Sequence, residues 1–437
     1  MRVAHSIAPP IWTVLPFVGL LLAIALLPLA APRLWESNRN KGIVAALLAL
    51  PVALYLVVAH GAAGVHELIE KAKEYVSFIV LLASLFVVTG GIYVRGSPAG
   101  TPLVNTGVLG LGALLAGWIG TTGASVLLIR PLLRANAARE RKAHIVVFFI
   151  FVVSNCGGLL TPLGDPPLFL GFLKGVPFAF TFRLWPVWLL VNGALLLLFA
   201  LLDQRVLARE EGEVVLRHER LGIDGGANFA FLAVIVAVIF AAGSDLGHGG
   251  EPWPFGVQEG LLLCVALLAY ATTPGRIRRA NDFGFGPILE VAVLFAGLFV
   301  TMAPALLLLN ANAKHFGLSE PWQFFWATGA LSSFLDNAPT YLTFAATACG
   351  LEGIPLEGRY LMQYLALGPQ AAETLAAISA GAVLMGANSY IGNGPNFMVK
   401  AIAEQAGVRM PSFFGYMAYA GVVLIPLFVL ATFLFFQ

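Results

Sequence analysis

The sequence predicts an all-α polytopic membrane protein: an inverted repeat of 5+5 transmembrane helices with two re-entrant hairpins and two broken helices. Three observations point there. Of 437 residues, 59% are hydrophobic and only 11% charged, against roughly 25% charged in a soluble chain. Apolar runs of about 20 residues, the length that crosses a bilayer core, recur from end to end. Two runs are interrupted by Gly, Pro, Asn and, in one case, Asp165. Backbone breaks at membrane depth only where protein or a water-filled cavity satisfies its polar groups.

Ten full spans are expected at roughly 12–30, 42–60, 75–93, 145–180, 184–202, 227–242, 257–273, 286–309, 371–403 and 412–436. The two long ones, 145–180 and 371–403, are the broken helices. The stretches 101–130 and 321–350 carry polar knots at their centres and are read as the hairpins. The first 30 residues have the basic end (Arg2) and apolar run of a signal peptide but no clean cleavage site, so they are read as a span. His66 to Tyr75 is amphipathic and predicts an interfacial helix. Trp322, Phe324, Phe325 and Trp326 read as an interface belt. His60, His66 and the other histidines read as loop residues. Three cysteines in or near apolar segments give neither a disulfide framework nor a metal site.

Lys and Arg sort the loops. With this topology 18 of the 25 fall on one side, which should face the cytoplasm. Both termini then face the periplasm, across the inner (cell) membrane. Treating either hairpin as a full span spoils the sorting.

The segment 203–225 is the one long polar stretch, a cytoplasmic linker between a first repeat (1–202) and a second (226–437). Thr161-Pro-Leu-Gly-Asp-Pro-Pro-Leu-Phe169 aligns with Ser389-Tyr-Ile-Gly-Asn-Gly-Pro-Asn-Phe397, and Gly123-Ala-Ser125 aligns with Ala338-Pro-Thr340. An odd number of spans per half inverts one half relative to the other.

Four polar knots should converge: Gly120 to Ser125, Ser154 to Asp165, Ser332 to Thr340, and Gly386 to Asn396. Carboxylates, hydroxyls, amides and freed carbonyls are hard ligands suited to small hard cations. A carboxylate inside a span is by default functional. Asp165 and Asp336 are the candidate ion-binding acids, able to hold either a proton or Na⁺. Asn155, Ser154, Thr161, Asn337, Thr340, Thr121, Thr122, Asn388, Ser389, Asn393 and Asn396 are the candidate supporting ligands. Asp165, ahead of two prolines, is equally placed to cap a helix, and the hydroxyls and amides to satisfy broken backbone or pack helices. Glu290, a few residues into its span, is placed either to snorkel or to carry protons. No basic residue lies within the knots, and no Ser/His pair or zinc motif within the spans, which argues against an enzyme. The only partners expected are the bilayer and a small-ion substrate; the basic residues sit in short loops and imply no nucleic acid.

At these residues the chain resembles the ion transporter superfamily, most closely its NhaD-type sodium/proton antiporter and citrate-transporter-like branch. Asn155-Cys-Gly-Gly…Thr161-Pro-Leu-Gly-Asp165 is similar to an Asn-x-Gly-Gly…Pro-Ile-Gly-Asp motif of those antiporters. Ser333-Phe-Leu-Asp336-Asn337-Ala-Pro-Thr340 is similar to their second-hairpin Leu-Asp-Asn motif. The resemblance implies a homodimer, elevator-like alternating access, transported or coupling Na⁺ and H⁺ with no cofactor, and an antiporter of Na⁺ or Li⁺ against H⁺. Its alternatives are sodium-coupled symport of citrate or a dicarboxylate, and efflux of an arsenite-type oxyanion. The dicarboxylate branch carries Ser-Asn-Thr at both hairpin tips, where this chain has Gly120-Thr-Thr and Asp336-Asn-Ala.

Overall fold

The first half of the chain contributes five long apolar helices and one broken one. The structure, a computed structural model, describes residues 9–96, 99–210, 220–246 and 253–437. After a 3-10 turn come α1 (Leu15–Ala30), the short α2 (Pro32–Trp35), α3 (Asn38–His60) and α4 (Ala62–Thr89). Strand β1 (Tyr93–Arg95) leads into α5 (Pro102–Ala135). Helix α6 (Ala143–Val152), a 3-10 turn at Cys156–Leu160 and α7 (Pro166–Leu173) make the first broken segment, and α8 (Trp185–Leu207) follows. Beyond β2 (Gly222–Asp224), which pairs antiparallel with β1, come α9 (Ala227–Gly243), α10 (Val257–Thr272), α11 (Gly275–Ala280) and α12 (Gly286–Ala311). The chain closes with α13 (Pro321–Ser332), α14 (Asn337–Leu351), α15 (Tyr360–Leu365), α16 (Pro369–Met385), a 3-10 turn at Gly386–Asn388, α17 (Gly394–Gln405) and α18 (Phe413–Phe435).

Among the described residues, eight helical segments are long and apolar enough to cross a membrane, and α9 and α10 are shorter apolar helices. The protein is a multi-pass, all-α membrane protein. Helix α5 counts among the eight by length and composition, yet it does not run straight. A straight helix would separate Asn105 from Asn136 by about 46 Å. Instead their side chains exchange two hydrogen bonds, of 3.0 and 2.8 Å. The chain folds back at Gly120, whose φ of 78° breaks the helix and disfavours any residue with a Cβ. Helices α13 and α14 meet at a second such turn, 333–336.

The core is α6, buried throughout, and the second half of α16. A helix apolar on every face belongs inside the bundle or in lipid. Exposed leucines on α3 (Leu47, Leu50, Leu54) and α10 (Leu261, Leu267, Leu268) mark helices whose outer face meets lipid.

Several expectations need correction. His66 to Tyr75 is not a separate interfacial helix; it forms the first turns of α4 and continues into the span. The linker begins later than expected, because α8 runs to Leu207 and buries Asp203. Residues 211–219 of that linker, Arg217 among them, lie outside the described residues, as does Arg2. The broken helix 145–180 is shorter than read: residues 178–184 form a separate 3-10 turn. Phe324 and Phe325 are core residues rather than belt residues, and only Trp322 is exposed. Three of the histidines read as loop residues are helical: His60 ends α3, His66 lies on α4, and His144 is buried on α6.

Candidate functional site

The two breaks are built alike. Asp165 (φ −147°, ψ 145°) and Asn393 (φ −151°, ψ 141°) each hold the extended position just before a helix with Pro in its first turn. Proline suits that place because its fixed φ is helical and its missing N–H has no partner to lose. One hydroxyl organises each loop. Thr161 Oγ1 donates to Gly117 O and accepts from Leu163 N at 3.1 Å. Ser389 Oγ donates to Ser333 O and accepts from Gly392 N at 3.1 Å. In both loops a glycine, Gly164 or Gly392, lies so close to another glycine's carbonyl that a Cβ would overlap it. Carbonyls freed by the breaks find side-chain donors: Trp188 Nε1 and Asn192 Nδ2 on α8 reach Gly157 O and Cys156 O, and Tyr416 Oη on α18 reaches Ala387 O.

Around Asp165 the two folded-back turns and the two breaks converge. Its carboxylate is 2% exposed. Oδ1 accepts from Thr121 Oγ1 at 2.8 Å and from Asn393 Nδ2 at 3.1 Å, and Oδ2 accepts from Asn337 Nδ2. All three donors are neutral. Asn337 is itself buried, and its Oδ1 has no hydrogen-bond partner. An orphaned buried acceptor beside a carboxylate is a place for a proton donor or a cation. Asp336 caps α14, accepting from Ala338 N at 3.0 Å.

A cavity of about 120 Å³ lies against this junction. Thr121, Thr122, Asp165, Asp336 and Asn393 supply its polar side chains, and Phe78, Phe169 and Phe295 part of its apolar wall. No Lys, Arg or His is among the described residues lining it. A cation here would take oxygens from one or two carboxylates, hydroxyls, amides and carbonyls, consistent with a small hard ion. Among the described residues there is no group of three or more His, Cys, Asp or Glu that could hold a metal ion.

The other expected residues stand behind the cavity wall. Asn155 Nδ2 donates to Asn396 Oδ1 at 2.7 Å and to Ile150 O at 2.8 Å, while its Oδ1 accepts from Asn393 at 3.2 Å. Asn396 Nδ2 reaches back to Gly386 O and Ser389 O. These amides bind the two breaks together and orient Asn393 on Asp165. Ser154 pairs with Ser125 at 2.8 Å, Thr340 Oγ1 donates to Asp336 O, and Asn388 Nδ2 donates to Ser333 Oγ at 2.9 Å. Glu290 does not join the site; it is half exposed and forms a 2.7 Å ion pair with Lys41 of α3.

Two buried acids escaped the sequence reading. Glu259 of α10 bonds to Ser77 of α4. Asp203 of α8 joins Arg139 at 2.6 Å, His144 at 2.8 Å and Asn105 at 2.9 Å. It thus ties the feet of the folded-back α5 to α6 and α8. Asp203 sits where apolar sequence turns polar, so nothing in its neighbours marked it as interior.

A family model described as "Putative citrate transport" matches residues 6–436. The chain belongs to that family. That description assigns the family a role in membrane transport. No curated protein matches the sequence.

Proposed function

We propose that the protein exchanges Na⁺ or Li⁺ for H⁺ across the cell membrane, with Asp165 as the group that holds either ion. One observation carries this reading: a buried carboxylate, held by neutral donors only, lines a cavity shared with a second acid and, among its described lining residues, no base. A cation and a proton compete for such an acid, which is the minimum that coupled exchange needs. Asp336 would share the charge, and the Asn155, Asn393 and Asn396 amides would hold the geometry. The halves 1–202 and 226–437 act as inverted repeats, with α5 and the α13–α14 pair as hairpins entering from opposite faces. The paired construction of the two breaks supports this. In this reading the hairpins and broken helices move together, elevator-like, past α3, α4 and α12, in a homodimer with both termini outside.

A second reading is sodium-coupled uptake of citrate, which the family's description favours. Helix N-termini at Pro166 and Gly394 line the cavity and could face an anion. Proton flux in proteoliposomes under an imposed pH gradient separates the two. Collapse of the gradient on adding Na⁺ or Li⁺ alone establishes exchange. A response only when citrate accompanies Na⁺ establishes symport and recasts Asp165 as a sodium ligand. No response to either refutes exchange, and no Na⁺-dependent uptake of labelled citrate by the same vesicles refutes symport.

A further inference from the structure

The cavity beside Asp165 has a closed end and an open end. At the open end its lining residues Pro287 and Gly394 are exposed, and Phe86, Thr122 and Ile288 half-buried. Those residues neighbour the loops that carry most of the Lys and Arg. At the other end the lining residues Phe78, Phe169 and Phe295 are buried, 7% exposed or less. Phe78 stacks on Phe295 with ring centroids 4.8 Å apart and meets Phe169 at 6.5 Å and Phe299 at 5.9 Å.

A second, larger cavity of about 1380 Å³ lies beyond this stack. It is lined by charged side chains, among them Glu74 and Lys174, which are ion-paired to each other. The two cavities nearly touch. Ser77 lines the second and Phe78 the first; Phe172 lines the second and Phe169 the first. The rings of Phe169 and Phe172 stack at 5.7 Å. Three residues of helix separate them, about 4.5 Å of rise, and Asp165 is only about 10 Å of helix from the charged cavity.

We propose that the Phe78–Phe169–Phe295 layer is the seal that keeps the ion site from reaching the second face, and that the charged cavity is the other access path. The layer draws on two groups of helices. Phe78 and Phe295 belong to α4 and α12, whereas Phe169 belongs to α7, the helix that starts at Asp165. A shift of α7 relative to α4 by about one helical turn parts the stack and joins Asp165 to the second cavity. Phe78 is the central residue, since it touches Phe169, Phe295 and Phe299. This rests on the transport reading for its purpose but not for its test, which reports accessibility whatever the solute.

Val291 lines the cavity on α12 and is half-buried. In a variant with Cys264, the exposed cysteine, replaced by Ser, Val291→Cys provides a single reporter for a membrane-impermeant maleimide. Intact cells and inside-out vesicles present the two faces. With Phe78 in place, labelling is expected at least tenfold faster from one face than from the other. Phe78→Ala should raise the slow-face rate at least tenfold. Phe78→Leu, which keeps most of the buried volume, should give an intermediate rise and decides the matter if the alanine variant does not fold. Equal labelling from both faces with Phe78 intact overturns the seal. Labelling from neither face overturns the open end. A slow-face rate unmoved by Phe78→Leu and Phe295→Leu overturns the role of the stack. None of these outcomes depends on whether Na⁺ or citrate moves.

Discussion

Asp165→Asn removes one charge from the junction and leaves its shape. A unit charge 4 Å from another is worth about 4 kcal/mol at an effective dielectric constant of about 20. Loss of the carboxylate should therefore weaken cation affinity about 1000-fold, at 1.4 kcal/mol per decade. With its oxygen at the Oδ1 position the amide can still accept two of the three hydrogen bonds, from Thr121 and Asn393, but its NH₂ then faces a donor, Asn337. That mismatch costs about 1–3 kcal/mol and is offset by no longer burying a charge, so the variant should remain folded, with its unfolding temperature moved by a few °C. The assay is gradient collapse by Na⁺ in proteoliposomes beside size-exclusion and thermal-unfolding profiles of the same preparation. The variant should fold and show no exchange at any practical Na⁺ concentration. A rescue arm sharpens the test. Asn393 occupies the equivalent place in the second break, and its Nδ2 lies 3.1 Å from Asp165 Oδ1. The exchanged pair Asp165→Asn with Asn393→Asp returns one carboxylate to the same junction and should recover at least tenfold over the single variant. Wild-type exchange in Asp165→Asn refutes the assignment outright. No recovery in the exchanged pair confines the chemistry to position 165.

Asn155→Ala should lower stability by about 1–3 kcal/mol, because Asn393 and Asn396 lose a buried partner; it should slow exchange without changing the order of preference among Na⁺, Li⁺ and K⁺, read from parallel flux traces. Gly120→Ala forces a Cβ into an extended positive-φ conformation that is essentially glycine-only (φ 78°, ψ 151°), at a cost of about 1–3 kcal/mol, so both unfolding temperature and flux should fall, and flux the more because Thr121 is displaced from Asp165. Glu290→Gln leaves the buried Lys41 amine without its carboxylate and should lower the unfolding temperature; exchange within twofold of wild type is expected, and abolition in folded protein would return Glu290 to the proton path. Asp203→Ala strands a buried Arg139 and should cost about 3–5 kcal/mol, seen as loss of folded protein in detergent rather than altered ion preference.

The fold was largely legible because a bilayer admits so few solutions. Runs of about 20 apolar residues can only be spans, and Gly157-Gly158, Pro162 and Gly164 inside one can only be a break that protein covers. Asp165 was legible for the same reason: a carboxylate with no place in lipid. What stayed hidden depends on side-chain direction. Thr121 and Asn337 both looked like ligands, but only the folded chain shows that they hold Asp165 itself. Asn155, written into the same motif, points away from the cavity and into the amide chain that joins the breaks. Glu290 had the composition of a functional acid and proved to have Lys41, distant in sequence, within 2.7 Å. The folding-back of α5 was suggested by its Gly-Thr-Thr-Gly knot and by the sorting of Lys and Arg; the meeting of Asn105 and Asn136 shows it.

The site's charge constrains both readings of its solute. A citrate anion entering the cavity beside Asp165 and Asp336 adds like charge, about 4 kcal/mol for each pair at 4 Å, and the described lining residues offer no basic side chain to offset it. Helix N-termini offset such charge only in part, by up to about 2 kcal/mol each in partly buried sites. An anion can thus be held only with the acids protonated or with a cation already bound to them. In the exchange reading the cation is the solute; in the symport reading it is the condition for the solute. Asp165 is needed in either case, so its loss cannot tell them apart. Citrate binding in the presence of Na⁺ can, since symport requires it and exchange does not. Na⁺ should bind the isolated protein without citrate under both readings, whereas citrate should bind without Na⁺ under neither while the acids are ionised. Tight citrate binding in Na⁺-free solution that persists as the pH is raised until the acids are ionised would show that a positive group reaches the cavity from elsewhere, and would overturn the electrostatic argument for both.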